Sequence, residues 1–91
     1  MIAIINVISV EYNDAFCLRV RFSNGASGVH DFAGMVAEPG DMTEPLRDPA
    51  VFKRVYVEMG VLTWPNGFDL DAIQLHTEMA DAGELTHKAA E

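Results

Sequence analysis

Apolar and polar residues alternate without a break from Phe16 to Phe22. Phe16, Leu18, Val20 and Phe22 fall on one side, and Cys17, Arg19 and Arg21 on the other. A period of two marks a strand with one buried face, and antiparallel sheet is its natural setting. The Ile- and Val-rich run at 2–12 reads as the strand before it. The connection decides which faces meet, because a slip of one residue exchanges the two sides of a strand. A two-residue turn at Asn13-Asp14 would set Glu11 against Phe16 and Ser9 against Leu18, with polar groups on the core face. A three-residue loop, Asn13-Asp14-Ala15, sets Tyr12 against Phe16, Val10 against Leu18 and Ile8 against Val20, and is the preferred register. It asks Ala15 to adopt a left-handed backbone conformation, where glycine is more comfortable.

Ser23-Asn24-Gly25-Ala26 carries the Asn-Gly pair that suits a type I′ hairpin. That turn pairs Val20 with Val29 and Arg19 with His30, and it makes 26–32 the third strand of a meander. Residues 33–47 hold Gly34, Pro39, Gly40 and Pro45 and read as loop, with room for a short helical turn. Asp48 caps and Pro49 opens a short helix near 49–54. A second hairpin turns at Met59-Gly60, pairing Val57 with Leu62 and Val55 with Trp64 on one face and Tyr56 with Thr63 on the other. Asp71 is a helix cap, with Gln74 three residues on and Leu70 and Leu75 at the staple positions. The helix is predicted over 72–82, stopped by Gly83. The expected fold is α+β: an antiparallel sheet of about five strands, built from the three-stranded meander plus the hairpin. A C-terminal helix and the short helix near 49–54 complete it. One domain is expected over 1–83, with 84–91 as a frayed tail.

Composition narrows the choice of partner. A chain of 91 residues makes one small domain. Such a domain buries only about 60–65% of its unfolded surface. Fourteen Asp and Glu oppose six Lys and Arg, for a formal charge of −8. Nucleic acids and anionic membranes both call for a basic footprint, so neither is an expected partner. A basic protein fits the charge, and self-association would bury what one small core leaves exposed. The single Cys17 rules out an internal disulfide framework and suits a reducing cytoplasm. The apolar MIAIINVISV start is too short to span a bilayer and lacks a basic flank, so it reads as a strand and not a signal peptide.

Candidate chemistry is sparse. Asp69 and Asp71 stand two residues apart and His76 follows. In convergence they would make a hard-cation site or an acid–base pair for a small ligand-binding or metal-assisted enzyme. The simpler assignment has Pro65 and Asn66-Gly67 bend the chain, Phe68 and Leu70 turn inward, and Asp71 cap the helix. No phosphate loop, serine elbow or zinc cysteine pair is present. No catalytic residue, metal or cofactor is expected. Trp64 is expected in the core or on a self-association face. The acidic run at 37–48 holds Glu38, Asp41, Glu44 and Asp48 against Arg47 alone. These four, with Trp64 and Asp69, are the candidate partner contacts.

Five segments carry a family resemblance: the V-x-x-V-E-Y strand, F-S-N-G-x-S-G-V-x-D-F at 22–32, P-L-R-D-P at 45–49, F-K-R-V-x-V at 52–57, and G-x-L-T-W-P-N-G-x-D-L-D at 60–71. In this order and spacing the chain resembles the bacterial domain of unknown function 2442 family. The resemblance implies a compact α+β domain with an antiparallel sheet. It also implies an association, in some members, with a neighbouring partner gene in toxin–antitoxin-like arrangements, and in some with an added helix-turn-helix module. It supplies no catalytic residue. With 91 residues there is no room for a full DNA-binding module, so a direct regulatory role is not expected. The leading expectation is a small acidic protein-binding domain, antitoxin-like, that docks or masks a basic partner. The alternatives are the Asp69–Asp71–His76 enzyme and a structural homo-oligomer.

Overall fold

The structure, a computed structural model, describes residues 5–87. Eight residues, Val7–Asp14, form β1, and Cys17–Phe22 form β2. Ala26–Asp31 form β3. A four-residue helix α1 follows at Ala33–Val36, then a 3-10 turn at Glu44–Arg47 and helix α2 at Pro49–Phe52. Tyr56–Glu58, Val61–Thr63 and Asp69–Leu70 are β4, β5 and β6. Helix α3 spans Ala72–Asp81, and Thr86–His87 form β7.

The strands make two sheets, which corrects the expected single sheet of about five strands. One has four strands in the order β1-β2-β3-β7, and the other has three in the order β4-β5-β6. The second hairpin is therefore not an extension of the meander. It turns away and recruits the segment after Trp64 as its own third strand. A backbone bond from the amide of Val7 to the carbonyl of Gly60 (2.8 Å) ties the two sheets at one corner. Residues 84–91, expected as a frayed tail, contribute β7, which pairs Ala26 with His87 and Ser27 with Thr86. Residues 88–91 lie outside the described residues, as does the start of the expected strand at 2–4.

The registers show how loop length sets a face. In the first hairpin Tyr12 faces Leu18, Val10 faces Val20 and Glu11 faces Arg19. The expected register is off by two residues along the strand, because the turn closes further on, with Asp14 opposite Cys17. A shift of two keeps the side-chain faces, so Val10, Tyr12, Leu18 and Val20 still share the inner side. Ala15 does take positive φ, at 47°.

In the second hairpin Arg19 faces Val29 and Leu18 faces His30, not Arg19 with His30. That is a shift of one, and it exchanges the faces of β3. The cause is the loop: Ser23-Asn24-Gly25 are three residues, the amide of Gly25 bonds the carbonyl of Phe22 (3.1 Å), and Gly25 sits at φ 90°. This is a type I turn closed by a left-handed glycine, not the two-residue type I′ turn. The inner face of β3 is consequently Ala26, Gly28 and His30, and Val29 joins Arg19 outside. The third hairpin keeps its expected register, with Tyr56 opposite Thr63 and Val57 opposite Leu62. Met59 and Gly60 both have positive φ there, at 53° and 80°, as a type I′ turn demands.

Both sheets contribute to one core. Leu18, Val20, Phe22, Phe32, Phe52, Leu62, Trp64 and Met79 are all essentially buried. A run of aromatic contacts joins Phe16 to Phe52 (5.1 Å between ring centres), Phe52 to Trp64 (5.8 Å) and Trp64 to Phe68 (5.7 Å). Helix α3 buries Ala72, Leu75 and Met79. It ends in a Schellman arrangement: Gly83 has φ 72°, and the amides of Glu84 and Gly83 bond the carbonyls of Met79 (2.9 Å) and Ala80 (3.1 Å).

Candidate functional site

A cleft of about 450 Å³ opens between the end of β3 with α1 and the face of α3. Its apolar lining includes Phe32, Met35, Phe68, Leu70 and Leu75. Its rim carries Asp31, Glu38, Asp71 and Glu78. No Lys or Arg lies within 4.0 Å of any of these carboxylates among the described residues.

Local chemistry explains how each rim group is held. Asp31 Oδ1 accepts the amide of Ala33 (2.9 Å) and so starts the turn into α1. Asp71 Oδ2 accepts the amide of Gln74 (2.9 Å), which is the helix cap read from the sequence. Glu78 is one turn beyond Gln74 and contacts its side-chain amide at 3.4 Å. Glu38 is held through its backbone: its carbonyl accepts the Thr43 hydroxyl (2.6 Å) and the Arg47 guanidinium (3.0 Å). Arg47 also donates through Nε to the carbonyl of Val36 (2.6 Å). These two contacts secure the loop after α1, and among the described residues the Glu38 carboxylate has no hydrogen-bond or ion-pair partner.

His30 lines the same cleft. Its ring stands edge-on to Phe32 (4.7 Å), and Nδ1 meets Glu84 Oε1 at 2.7 Å. The contact is an ion pair when the imidazole is protonated. Glu84 is fixed by more than that bond. Its carbonyl lies so close to Gly28 that a Cβ added there would come within 2.1 Å of it. Gly28 therefore lets the chain leaving α3 pack directly on β3.

The residues singled out from the sequence scatter. Glu38 is on the rim. Asp41 and Glu44 are exposed but do not line the cleft. Asp48 is used to cap α2, accepting the amide of Ala50 (3.0 Å). Trp64 is fully buried, with its indole N–H donating to the carbonyl of Phe52 (3.0 Å), so it has no surface to offer a partner. Asp69 is exposed on β6, opposite Thr63. Nor does His76 join Asp69 and Asp71. It packs edge-on against Phe22 (5.0 Å), and its Nε2 accepts the Asn24 amide (3.0 Å). Among the described residues no group of three His, Cys, Asp or Glu side chains is placed to share a metal ion.

His30, Asp31, Glu78 and Glu84 were not picked out by their spacing. The available signal was the Ser-Asn-Gly loop, whose third-position glycine allows a three-residue turn and so turns His30 inward. Cys17 is half-buried near this end of the sheet. Its thiol is pushed above the ordinary cysteine range, first by partial burial and then by the carboxylates of Asp31, Asp14 and Glu84. An activated nucleophile needs the opposite environment.

Among the described residues no helix is long and apolar enough to cross a membrane. A family model described as protein of unknown function (DUF2442) matches residues 7–79. No curated protein and no solved structure matches the chain.

Proposed function

The chain belongs to the DUF2442 family, and on that footing we propose that it is a small acidic protein-binding domain whose cleft receives a basic segment of a partner protein. The observation that carries this reading is the pairing of an apolar floor with the Asp31, Glu38, Asp71 and Glu78 rim, unneutralised by any Lys or Arg of the described residues. An apolar floor alone would suit many occupants. The rim selects for one with Lys or Arg beside its apolar anchor.

The two parts have separate duties. The net charge of −8 raises the encounter rate with a basic protein and makes that rate sensitive to salt. Burial of an anchor against Met35, Phe68 and Leu70, the half-buried apolar residues of the cleft, supplies the larger share of the affinity. Asp41 and Glu44, exposed on the neighbouring loop, add to the field without touching the occupant. A partner held in this way would have its basic surface masked, which is the antitoxin-like form of the proposal.

The test is capture of the partner from the native host at low salt, followed by affinity measurement with the purified pair. The double variant Glu38→Lys, Glu78→Lys reverses two rim charges. It is expected to weaken binding by about a hundredfold, since each reversed pair typically costs about 1–2 kcal/mol or more. It should also flatten the dependence on salt. An affinity equal to that of the parent chain at low salt would refute the cleft as the docking site.

A further inference from the structure

The opposite surface of the molecule has the opposite chemistry. Arg19 and Arg21 project from the outer face of β2, two residues and so about 7 Å apart. Arg47 is consumed by backbone carbonyls, and Lys53 stands over the Tyr12 ring at 5.4 Å. Arg19 and Arg21 make no side-chain hydrogen bond and have no carboxylate within 4.0 Å among the described residues.

Register gives this face its character. Arg21 lies opposite Ser9 on β1 and Ser27 on β3, and Ser27 lies opposite Thr86 on β7. One guanidinium is therefore set in a row of three hydroxyl residues that crosses all the strands of the sheet. The nearest register carboxylate, Glu11, is opposite Arg19 and not Arg21. A second cavity, also of about 450 Å³, lies over the β2, β3 and β7 part of this row, with Arg19, Arg21, Ser27 and Thr86 in its lining and Ile8 as an apolar wall; Ser9 lies outside it. Such a mixture of fixed cation and hydroxyl donors matches the three outward oxygens of a phosphoryl group, and guanidinium is the side chain best shaped to hold it.

We propose that the outer face of the four-stranded sheet is a phosphate-class oxyanion site, with Arg21 as its principal ligand, Arg19 as a second cation and the Ser27 hydroxyl as a donor, while the Thr86 hydroxyl, which donates to the Ser27 carbonyl (3.4 Å), walls the site. It is independent of the acidic cleft. Because the whole chain repels anions, affinity must come from this local arrangement. Binding should therefore be selective for a tetrahedral oxyanion over chloride, not merely electrostatic.

The experiment is an amide NMR titration of the full chain at low ionic strength. The probes are inorganic phosphate, O-phosphoserine and sodium chloride at matched ionic strength. Saturable shifts at Arg21, Ser27 and Thr86 are expected with a phosphate probe and not with chloride. Equal saturation by both phosphate probes would identify the free ion as sufficient, and saturation by O-phosphoserine alone would identify the ester. Arg21→Gln should weaken binding about tenfold or more, as loss of a charge-assisted contact does. Ser27→Ala should weaken it less, and Arg54→Gln should leave it unchanged. Shifts that grow linearly, that chloride reproduces, or that saturate at the same phosphate concentration in Arg21→Gln as in the parent chain would overturn the proposal.

Discussion

Three residues show how much of this molecule depends on single atoms. Gly28 has no room for a side chain, since a Cβ would sit 2.1 Å from the Glu84 carbonyl and 3.3 Å from the Met79 methyl. Backbone cannot yield as a flexible side chain can. Gly28→Ala should therefore destabilise the fold by about 1–3 kcal/mol and loosen the His30–Glu84 contact. The control is Gly34→Ala in α1, where a Cβ meets nothing within 4 Å. It should be neutral or stabilising by up to about 1 kcal/mol. Urea denaturation of the two variants separates these outcomes. Trp64→Phe keeps an aromatic in the core but leaves a void where the larger ring stood and removes the indole donor from the Phe52 carbonyl, which keeps only the Val55 amide (3.3 Å); a loss of about 1–3 kcal/mol is expected in the same assay.

Cys17 gives a prediction in pH. Partial burial and the carboxylates of Asp31, Asp14 and Glu84 all disfavour its thiolate. At any pH below the raised value, the folded chain carries less thiolate than an unfolded one. Alkylation by iodoacetamide should accordingly be slower in the folded protein at pH 8. Its rate profile should be displaced towards alkaline pH relative to the urea-unfolded chain. Asp31→Asn removes one of the opposing charges and should move that profile back part of the way. A folded thiol that reacts faster than the unfolded one would contradict this electrostatic account.

At the scale of elements, helix ends and one hairpin were legible because their chemistry is local. Asp71 caps α3 by accepting the amide three residues on, and Asp48 caps α2 beside Pro49. Asp71→Ala should cost about 1 kcal/mol of stability, measured by thermal or urea unfolding. Met59-Gly60 formed the expected two-residue turn, so β4 and β5 pair as read. Asn24-Gly25 and Asn66-Gly67 were less transparent. Both pairs end a three-residue loop, with Gly25 at φ 90° and Gly67 at φ 93°. In each, the asparagine carbonyl oxygen accepts the amide two residues on, Ala26 at 3.1 Å and Phe68 at 3.2 Å. Asn-Gly is compatible with either loop, and the choice depends on which strand faces the core then covers. That tertiary preference turned His30 inward and sent Val29 out. It also makes Trp64-Pro65-Asn66-Gly67-Phe68 a hairpin joining β5 to β6.

For the whole molecule, the division into two sheets could not be read from alternation, which specifies faces within a strand but not which hairpins share a ladder. Short strands were harder still: β6 and β7 have two residues each, too few to show a period. The candidate site inherits that difficulty. Its rim gathers Asp31 from β3, Glu38 after α1, and Asp71 and Glu78 at and within α3. These positions lie far apart in the chain, and only the packing of α3 on the sheet brings them to one cleft. The acidic composition foresaw the sign of the surface but not its location. The same packing leaves Arg19 and Arg21 on the outer face of the sheet, with Glu11 opposite Arg19.

The proposed docking of a basic partner in the cleft is tested most directly by amide NMR of the chain with the captured partner. Residues 32–38 and 68–78 should show the largest shifts, and raising the salt should reverse them. Shifts concentrated on the outer sheet face around Arg19 and Arg21, with the cleft unmoved, would contradict it.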